Sequence, residues 1–433
     1  MRHLPKALVL AALVMVQVAA GTAFSAFAVT SFYNGRIGPG VYIGGLSAAG
    51  LSPDSVQRVV AGIFPEDPSR LSLVFTGAGK TWSVSYASLD ATPNAALLVN
   101  QALSRLDHGS PGRVLRWLGR PLHLEPGFAY RPALLARRLA DIGRAADEAP
   151  QNAALILDGG QVRLVPAKEG RRIDIQATAA ATGPLLPLDG RAVPLAWTTA
   201  APAVTDSQLA PLQNLLAAYS TPLEPDQNDR DHNIALAAGL LNGTLLQPGE
   251  DLSLNQVLGP RSAADGFLPA PAIVNNSLVD QDGGGVCQIA TTLYNAALLA
   301  GLKIEERHPH SLPVPYVPLG LDATINWNNL DLKVADNTGY PVYVAALVRE
   351  NRLTVEIFGR RPQPLDISVF TKITAGRGRP IPPAADLALG PDGPDTVTVA
   401  VYRRETNPAG QSVTEMISEN YYHPIQNRAG SEK

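Results

Sequence analysis

Three consecutive glycines, Gly283-Gly284-Gly285, run through Val286 into Cys287, the single cysteine of a 433-residue chain. Glycine tolerates left-handed backbone and lets the main chain come close to a neighbour or a ligand. Beyond the cysteine, Ile289, Leu293, Ala296, Ala297 and Ala300 recur at helical spacing, and Gly301 supplies a stop. The pattern predicts a tight loop that delivers Cys287 to the start of a helix. Unpaired N–H groups and the helix dipole at that place favour the thiolate, the reactive form of cysteine. The competing reading is a lone buried cysteine that packs as a small apolar side chain.

One cysteine leaves no intramolecular disulfide and no cysteine-based metal cluster. Two histidines two positions apart, His308 and His310, have no further clustered ligands around them, so no metal or other cofactor is expected. A charged share of 17%, a net charge of −3 and the absence of any basic run argue against nucleic acid as a partner. The apolar share of 45% is enough for a sizeable core, and 37 prolines with 38 glycines point to many turns between short strands.

The N-terminus carries Arg2, His3 and Lys6 ahead of an apolar run from Ala7 to Val29. Such a run is long enough to span a bilayer with some tilt. A cleavable signal ending at Ala26-Phe27-Ala28 is the alternative, but the run exceeds a standard signal core and favours an uncleaved, single-pass anchor. In either case the positive flank puts the rest of the chain outside the cytoplasm.

The expected fold class is α+β: an N-terminal transmembrane helix, two repeated α+β modules, a further α+β domain and a β-rich C-terminal segment. Residues 1–37 read as anchor and linker, 38–120 as the first module and 121–205 as the second. Strands at 71–75 and 81–86 and a helix at 94–106 recur in order as a hairpin at 154–157 and 162–165 followed by a helix opening at 170 and running to about 186. One strand is expected at 192–197. Residues 206–232, with a helix at 208–219, form a boundary region and linker. The domain holding Cys287 occupies 233–360. Its segment 234–242 fits helix or strand equally, and 361–433 is a β-rich appendage.

A cysteine nucleophile needs a base and an orienter for that base. Of the seven histidines, His3, His108, His123, His232 and His423 lie away from the core of this domain, whereas His308 and His310 follow Cys287 across one helix and one strand. His310 is the better candidate, with His308 still open, and Asp322 is the candidate orienter. Backbone N–H groups of Cys287 and Gln288 are candidate oxyanion donors. Arg261 and Arg307 suit a substrate carboxylate, or equally a structural ion pair.

These residues fall in a pattern that resembles the VanW domain. Gln247-Pro248-Gly249-Glu250, Ser253-Leu254-Asn255, Leu258-Gly259-Pro260-Arg261, Gly266-Phe267 and Ala270-Pro271 are similar to its opening. Gly283 to Ala297 resembles its central signature, and Gly301-Leu302, Glu306-Arg307, His310-Ser311 and Tyr316 to Thr324 its closing half. The modules before it are similar, more weakly, to a peptidoglycan-binding domain that often precedes VanW domains. The resemblance implies the cell wall as the setting and peptidoglycan as the partner. Some members look like cysteine L,D-transpeptidases, which implies Cys287 as nucleophile, His310 as base and Asp322 beside it. On that reading Arg261, Gly284, Gly285, Gln288, Thr291, Arg307, Ser311 and Tyr316 face the substrate. A non-catalytic wall-binding protein associated with glycopeptide resistance and a thioester hydrolase are the alternatives.

Overall fold

In a computed structural model, residues 6–106, 120–274, 277–327, 329–361, 363–377 and 396–422 are described, so Arg2, His3, His108 and His423 lie outside them. The chain divides into two compact units, Met1–Ala149 with Gly170–Ala200, and Pro150–Glu169 with Ala201–Lys433.

The first unit begins with the helix Lys6–Phe32, whose stretch Leu10–Val29 has a mean hydropathy of 1.9 and no buried residue. It is apolar on every side, a property shared by membrane spans and signal sequences. Further on, Ser52 caps the helix Pro53–Ile63 by accepting the Ser55 N–H at 3.3 Å, with Pro53 in the first turn. Val56 and Val60, one helical turn apart, enter a core with Val41, Ile43, Leu98 and Leu124. A second core gathers Leu73, Phe75, Tyr86, Phe128, Leu135 and Leu139. The two stretches read as successive modules interlock here. Val41–Ile43 pairs in parallel with Leu122–Leu124, and Ala192–Pro194 with Ser72–Gly77.

Two local readings change. The helix expected from residue 170 is a strand, Gly170–Ile173, followed by the shorter helix Ile175–Thr182. Asp174 separates them, because its carboxylate accepts the Ala177 N–H at 2.8 Å and starts the helix there. The strand expected at 192–197 is two, Ala192–Pro194 and Trp197–Ala200, which join different sheets.

The second unit is built on a four-stranded antiparallel sheet in the order Asn214–Pro222, Arg352–Gly359, Val342–Arg349, Thr244–Leu246. Alternation along Val342–Arg349 sorts its two faces. Val342, Val344 and Ala346 join the core formed with the helices Asn228–Leu241 and Cys287–Leu299, while Tyr343 and Ala345 face the other way. The second face is covered by Leu155 of the hairpin Ala154–Asp158/Gln161–Val165 and Ala153 just before it, with Leu209 and Leu212. That hairpin, expected within a preceding module, packs as part of the second unit. The stretch 206–232 holds no linker-like run. Its expected helix at 208–219 is a short turn, Asp206–Leu209, then the edge strand Asn214–Pro222. The segment expected at 234–242 is helical up to Leu241, within the helix Asn228–Leu241, and buries Ile234, Ala237, Ala238 and Leu241. The unit also holds a three-stranded sheet, Asp251–Ser253, Lys333–Ala335 and Lys303–Glu306, and a paired ribbon, Pro269–Val274 with Ser277–Asp282. The C-terminal segment forms an antiparallel sheet of Asp366–Arg377, Thr396–Thr406 and Ser412–Tyr422.

Candidate functional site

Cys287 is the first residue of its helix, and every side chain from Gln288 to Leu298 is buried. The three glycines before it are needed for different reasons. Gly283 and Gly285 hold positive φ, +77° and +99°. Gly284 does not, but a Cβ there would lie 2.0 Å from the Ala270 carbonyl oxygen, a backbone atom with no room to give. A Cβ on Gly285 would meet the Arg230 side chain at 2.7 Å. Asn233, fully buried, ties the loop down by donating to the carbonyls of Leu268 at 2.8 Å and Gly284 at 3.0 Å.

Cys287 is partly buried, and its sulfur stands 3.3 Å from the Thr324 hydroxyl and 3.8 Å from the Ile325 carbonyl. His310, 6% exposed, hydrogen-bonds the same sulfur. Its Nδ1 faces Asp322 Oδ2 at 2.8 Å, and its backbone N–H donates to the same oxygen at 2.6 Å. The three residues thus form a continuous hydrogen-bonded line. Nδ1 as the proton donor to Asp322 leaves Nε2 for the sulfur, the tautomer a general base requires. His308 is elsewhere: its ring meets Glu306 at 3.0 Å while its backbone carbonyl accepts the Thr324 N–H.

Burial pushes the Cys287 thiol up, but the hydrogen bond and charge of His310, helped by Thr324, bring it down to about 7. Burial pulls His310 down, and its bonds to Asp322 and Cys287 outweigh that and raise it to about 9. Between those values the sulfur is thiolate and the ring imidazolium. Burial also pushes Asp322 up, yet His310 and Arg307 hold its carboxyl below the usual range.

The residues expected to face the substrate fall into three sets. Arg307, Gln288 and Thr291 are committed inside the protein. Arg307 donates to the carbonyls of Asp322 at 2.7 Å and Gly320 at 3.0 Å, pairs with Asp322 Oδ1 at 3.3 Å and also binds Asn420. Gln288 donates to Pro222 O and Thr221 Oγ1 and accepts from Arg230 at 3.0 Å. Thr291 donates to Ala323 O and accepts the Ala323 N–H. Their side chains position the loops around the site. Gln288's backbone N–H is also spent, on Gly285 O at 2.9 Å. Of the expected pair, the Cys287 N–H is the one that meets no backbone carbonyl among the described residues, and it stays the candidate oxyanion donor. Arg261 is buried with positive φ, bonds Asn255 at 2.8 Å and feels the charges of Cys287 and Asp331. It sits behind the glycine loop, where a Cβ on Gly283 would come within 3.1 Å of it. Ser311 is exposed, whereas Tyr316 is half-buried beside Arg230, whose guanidinium is 5.9 Å from the ring, and its hydroxyl bonds Thr291 within reach of the Cys287 charge. Arg230 carried no sequence signal because only the folded helix Asn228–Leu241 brings it to the loop.

Residues 229–358 match the family described as "VanW like protein". The chain carries a VanW-like domain. Residues 82–182 match a second family, described as "Putative peptidoglycan binding domain". Two curated relatives align with part of the chain. One is the "Uncharacterized protein YoaR" of Bacillus subtilis, 39% identical over 131 residues, 30% of this chain and 43% of the relative. The other is the "Vancomycin B-type resistance protein VanW" of Enterococcus faecalis, 29% identical over 145 residues, 32% of this chain and 53% of the relative. The matches therefore span about half the length of either relative. No solved structure matches. The Cys287–His310–Asp322 line lies wholly within the VanW-like domain, and Tyr422 and Asn420 lie beyond its matched span.

Proposed function

We propose that the VanW-like domain is a cysteine acyltransferase of L,D-transpeptidase type acting on peptidoglycan stem peptides. The observation that carries this reading is the hydrogen-bonded Cys287–His310–Asp322 line at a helix start, with Cys287 only partly buried. The match of residues 82–182 to a peptidoglycan-binding family supports the choice of substrate, and the resistance named in the Enterococcus relative fits a cell-wall setting.

The Cys287 thiolate attacks the carbonyl carbon at the third residue of a donor stem peptide, forming a C–S bond. The Cys287 N–H stabilises the oxyanion. As the intermediate collapses, the amide C–N bond breaks, and His310 gives its proton to the departing amine of the terminal D-alanine. An acceptor amine then attacks the thioester carbonyl, His310 removes its proton, the C–S bond breaks and a cross-link between two third residues forms. Water in place of the amine makes the same site a hydrolase. Asp322 keeps the His310 ring oriented throughout.

The test is the intact mass of the full-length chain in mild detergent after incubation with purified disaccharide-tetrapeptide, beside Cys287→Ala. An acyl-enzyme mass or cross-linked dimer absent from the control is expected. A second reading, wall binding without chemistry, is favoured by the match at 82–182 alone. Equal binding of substrate by both proteins with no adduct and no product would replace the catalytic reading with it.

A further inference from the structure

Asp322 is the member of the line farthest from solvent, 1% exposed, and both of its oxygens are engaged. Oδ2 serves His310 twice, through the ring and the backbone N–H. Oδ1 is held from the opposite side by the Tyr422 hydroxyl and by Arg307. Tyr422, itself 1% exposed, also accepts the Gly320 N–H at 2.8 Å, so one hydroxyl fixes the carboxylate and the loop that carries it. Asn420, 3% exposed and on the same strand, accepts from Arg307, whose remaining donors hold the Asp322 and Gly320 carbonyls. The loop also lacks space to shift: a Cβ on Gly320 would meet Val401 at 2.9 Å and Val399 at 3.1 Å, both on the strand paired with Ser412–Tyr422. Of these groups, Tyr422, Asn420, Val399 and Val401 lie in the C-terminal sheet, beyond residues 229–358.

We propose that Tyr422 and Asn420 are positioning residues of the Cys287 site, so that the C-terminal sheet is a working part of it. This rests on the reading of Cys287 as a reactive thiol, though not on any particular substrate. A carboxylate accepting from His310 on one oxygen can still pivot about its own bond. Donors on the second oxygen remove that freedom, which keeps Nδ1 paired and Nε2 directed at the sulfur. Arg307 is the shared intermediary, because Asn420 fixes the guanidinium end that does not touch Asp322.

The experiment is the pH dependence of Cys287 alkylation by iodoacetamide in the full-length chain, for wild type, Tyr422→Phe and Asn420→Ala. Tyr422→Phe keeps the ring in its buried place and removes the hydroxyl alone. The thiolate midpoint is expected to rise by about half a unit or more in each variant, giving roughly twofold slower alkylation at pH 7 and about threefold well below it. Thermal unfolding is followed alongside, since a purely structural role lowers the melting temperature without moving the midpoint. A folded variant that keeps the wild-type midpoint overturns the proposal, and so does loss of the fold in both. The readout needs no peptidoglycan. If no acyl-enzyme forms on tetrapeptide while the midpoint still moves, the transpeptidase reading fails and the positioning role stands.

Discussion

At the scale of single residues, the site is an electrostatic device with two titrations of opposite effect. The thiol falls to about 7 and the imidazole rises to about 9, so the reactive pair fills on raising pH through the first value and empties through the second. Cross-linking activity is expected to follow a bell between them, and alkylation to rise with a midpoint near the lower one. His310→Ala should return that midpoint toward the ordinary thiol value of about 8.5, slowing alkylation at neutral pH by roughly tenfold or more. A midpoint that stays near neutral in His310→Ala would show that another group lowers the thiol. Asp322→Asn preserves shape but reverses what His310 Nδ1 faces, and turnover should fall by about 10³-fold or more, measured by product formation at saturating tetrapeptide. Cys287, His310 and Asp322 were legible as residues because a glycine run, a helix stop and a recurring pattern surround them. Tyr422 was not. It meets Asp322 across 100 positions, through a sheet whose first strand, Asp366–Arg377, had no reading of its own.

At the scale of elements, propensity and tertiary pairing disagree in one instructive place. Residues 208–219 contain Leu209, Leu212, Leu215, Leu216, Ala217 and Ala218, a composition that favours helix. From Asn214 onward they form a strand because Arg352–Gly359 offers an unpaired edge, and the pairing runs from Asn214 to Pro222 with a bulge between Leu215 and Ala217. The hairpins and most helices were legible because their signals are local, whereas strand partnership is set by distant segments. The same sheet yields a stability prediction. Leu155, 1% exposed, packs with Tyr343, Ala345 and Phe358, so Leu155→Ala should destabilise the second unit by about 3 kcal/mol. Denaturant unfolding followed by the alkylation rate of Cys287 checks it, because that signal reports the second unit. The glycine loop gives a sharper case. Gly284→Ala sets a methyl against the backbone of Ala270 and is expected to cost about 3 kcal/mol or more, read from the same unfolding curve. An unchanged curve would mean that the ribbon Pro269–Val274 moves aside at little cost.

At the scale of the whole molecule, the fate of the N-terminal helix bears on where the protein resides. Leu10–Val29 spans 20 residues, which at about 1.5 Å each matches the roughly 30 Å hydrocarbon thickness of a bilayer. None of its side chains is buried by the rest of the chain, so in water its apolar surface has no partner. Folded structure begins almost at once after it: Phe32 ends the helix, and Ile37 is already fully buried, its N–H donating to Leu51 O. Only residues 33–36 lie between, a reach of about 14 Å even when extended. An uncleaved helix would therefore hold the first unit against the membrane surface, while cleavage after Ala28 would release a chain whose folded part is intact. The two cases separate in one fractionation. Membranes from cells making the full chain are washed with alkaline carbonate, and the N-terminus of the retained protein is sequenced. Retention with residues 1–28 present is the expected result. Release of a chain beginning near Val29 would instead identify the helix as a signal, and the proposed acyl transfer would then be sought in the wall rather than at the membrane.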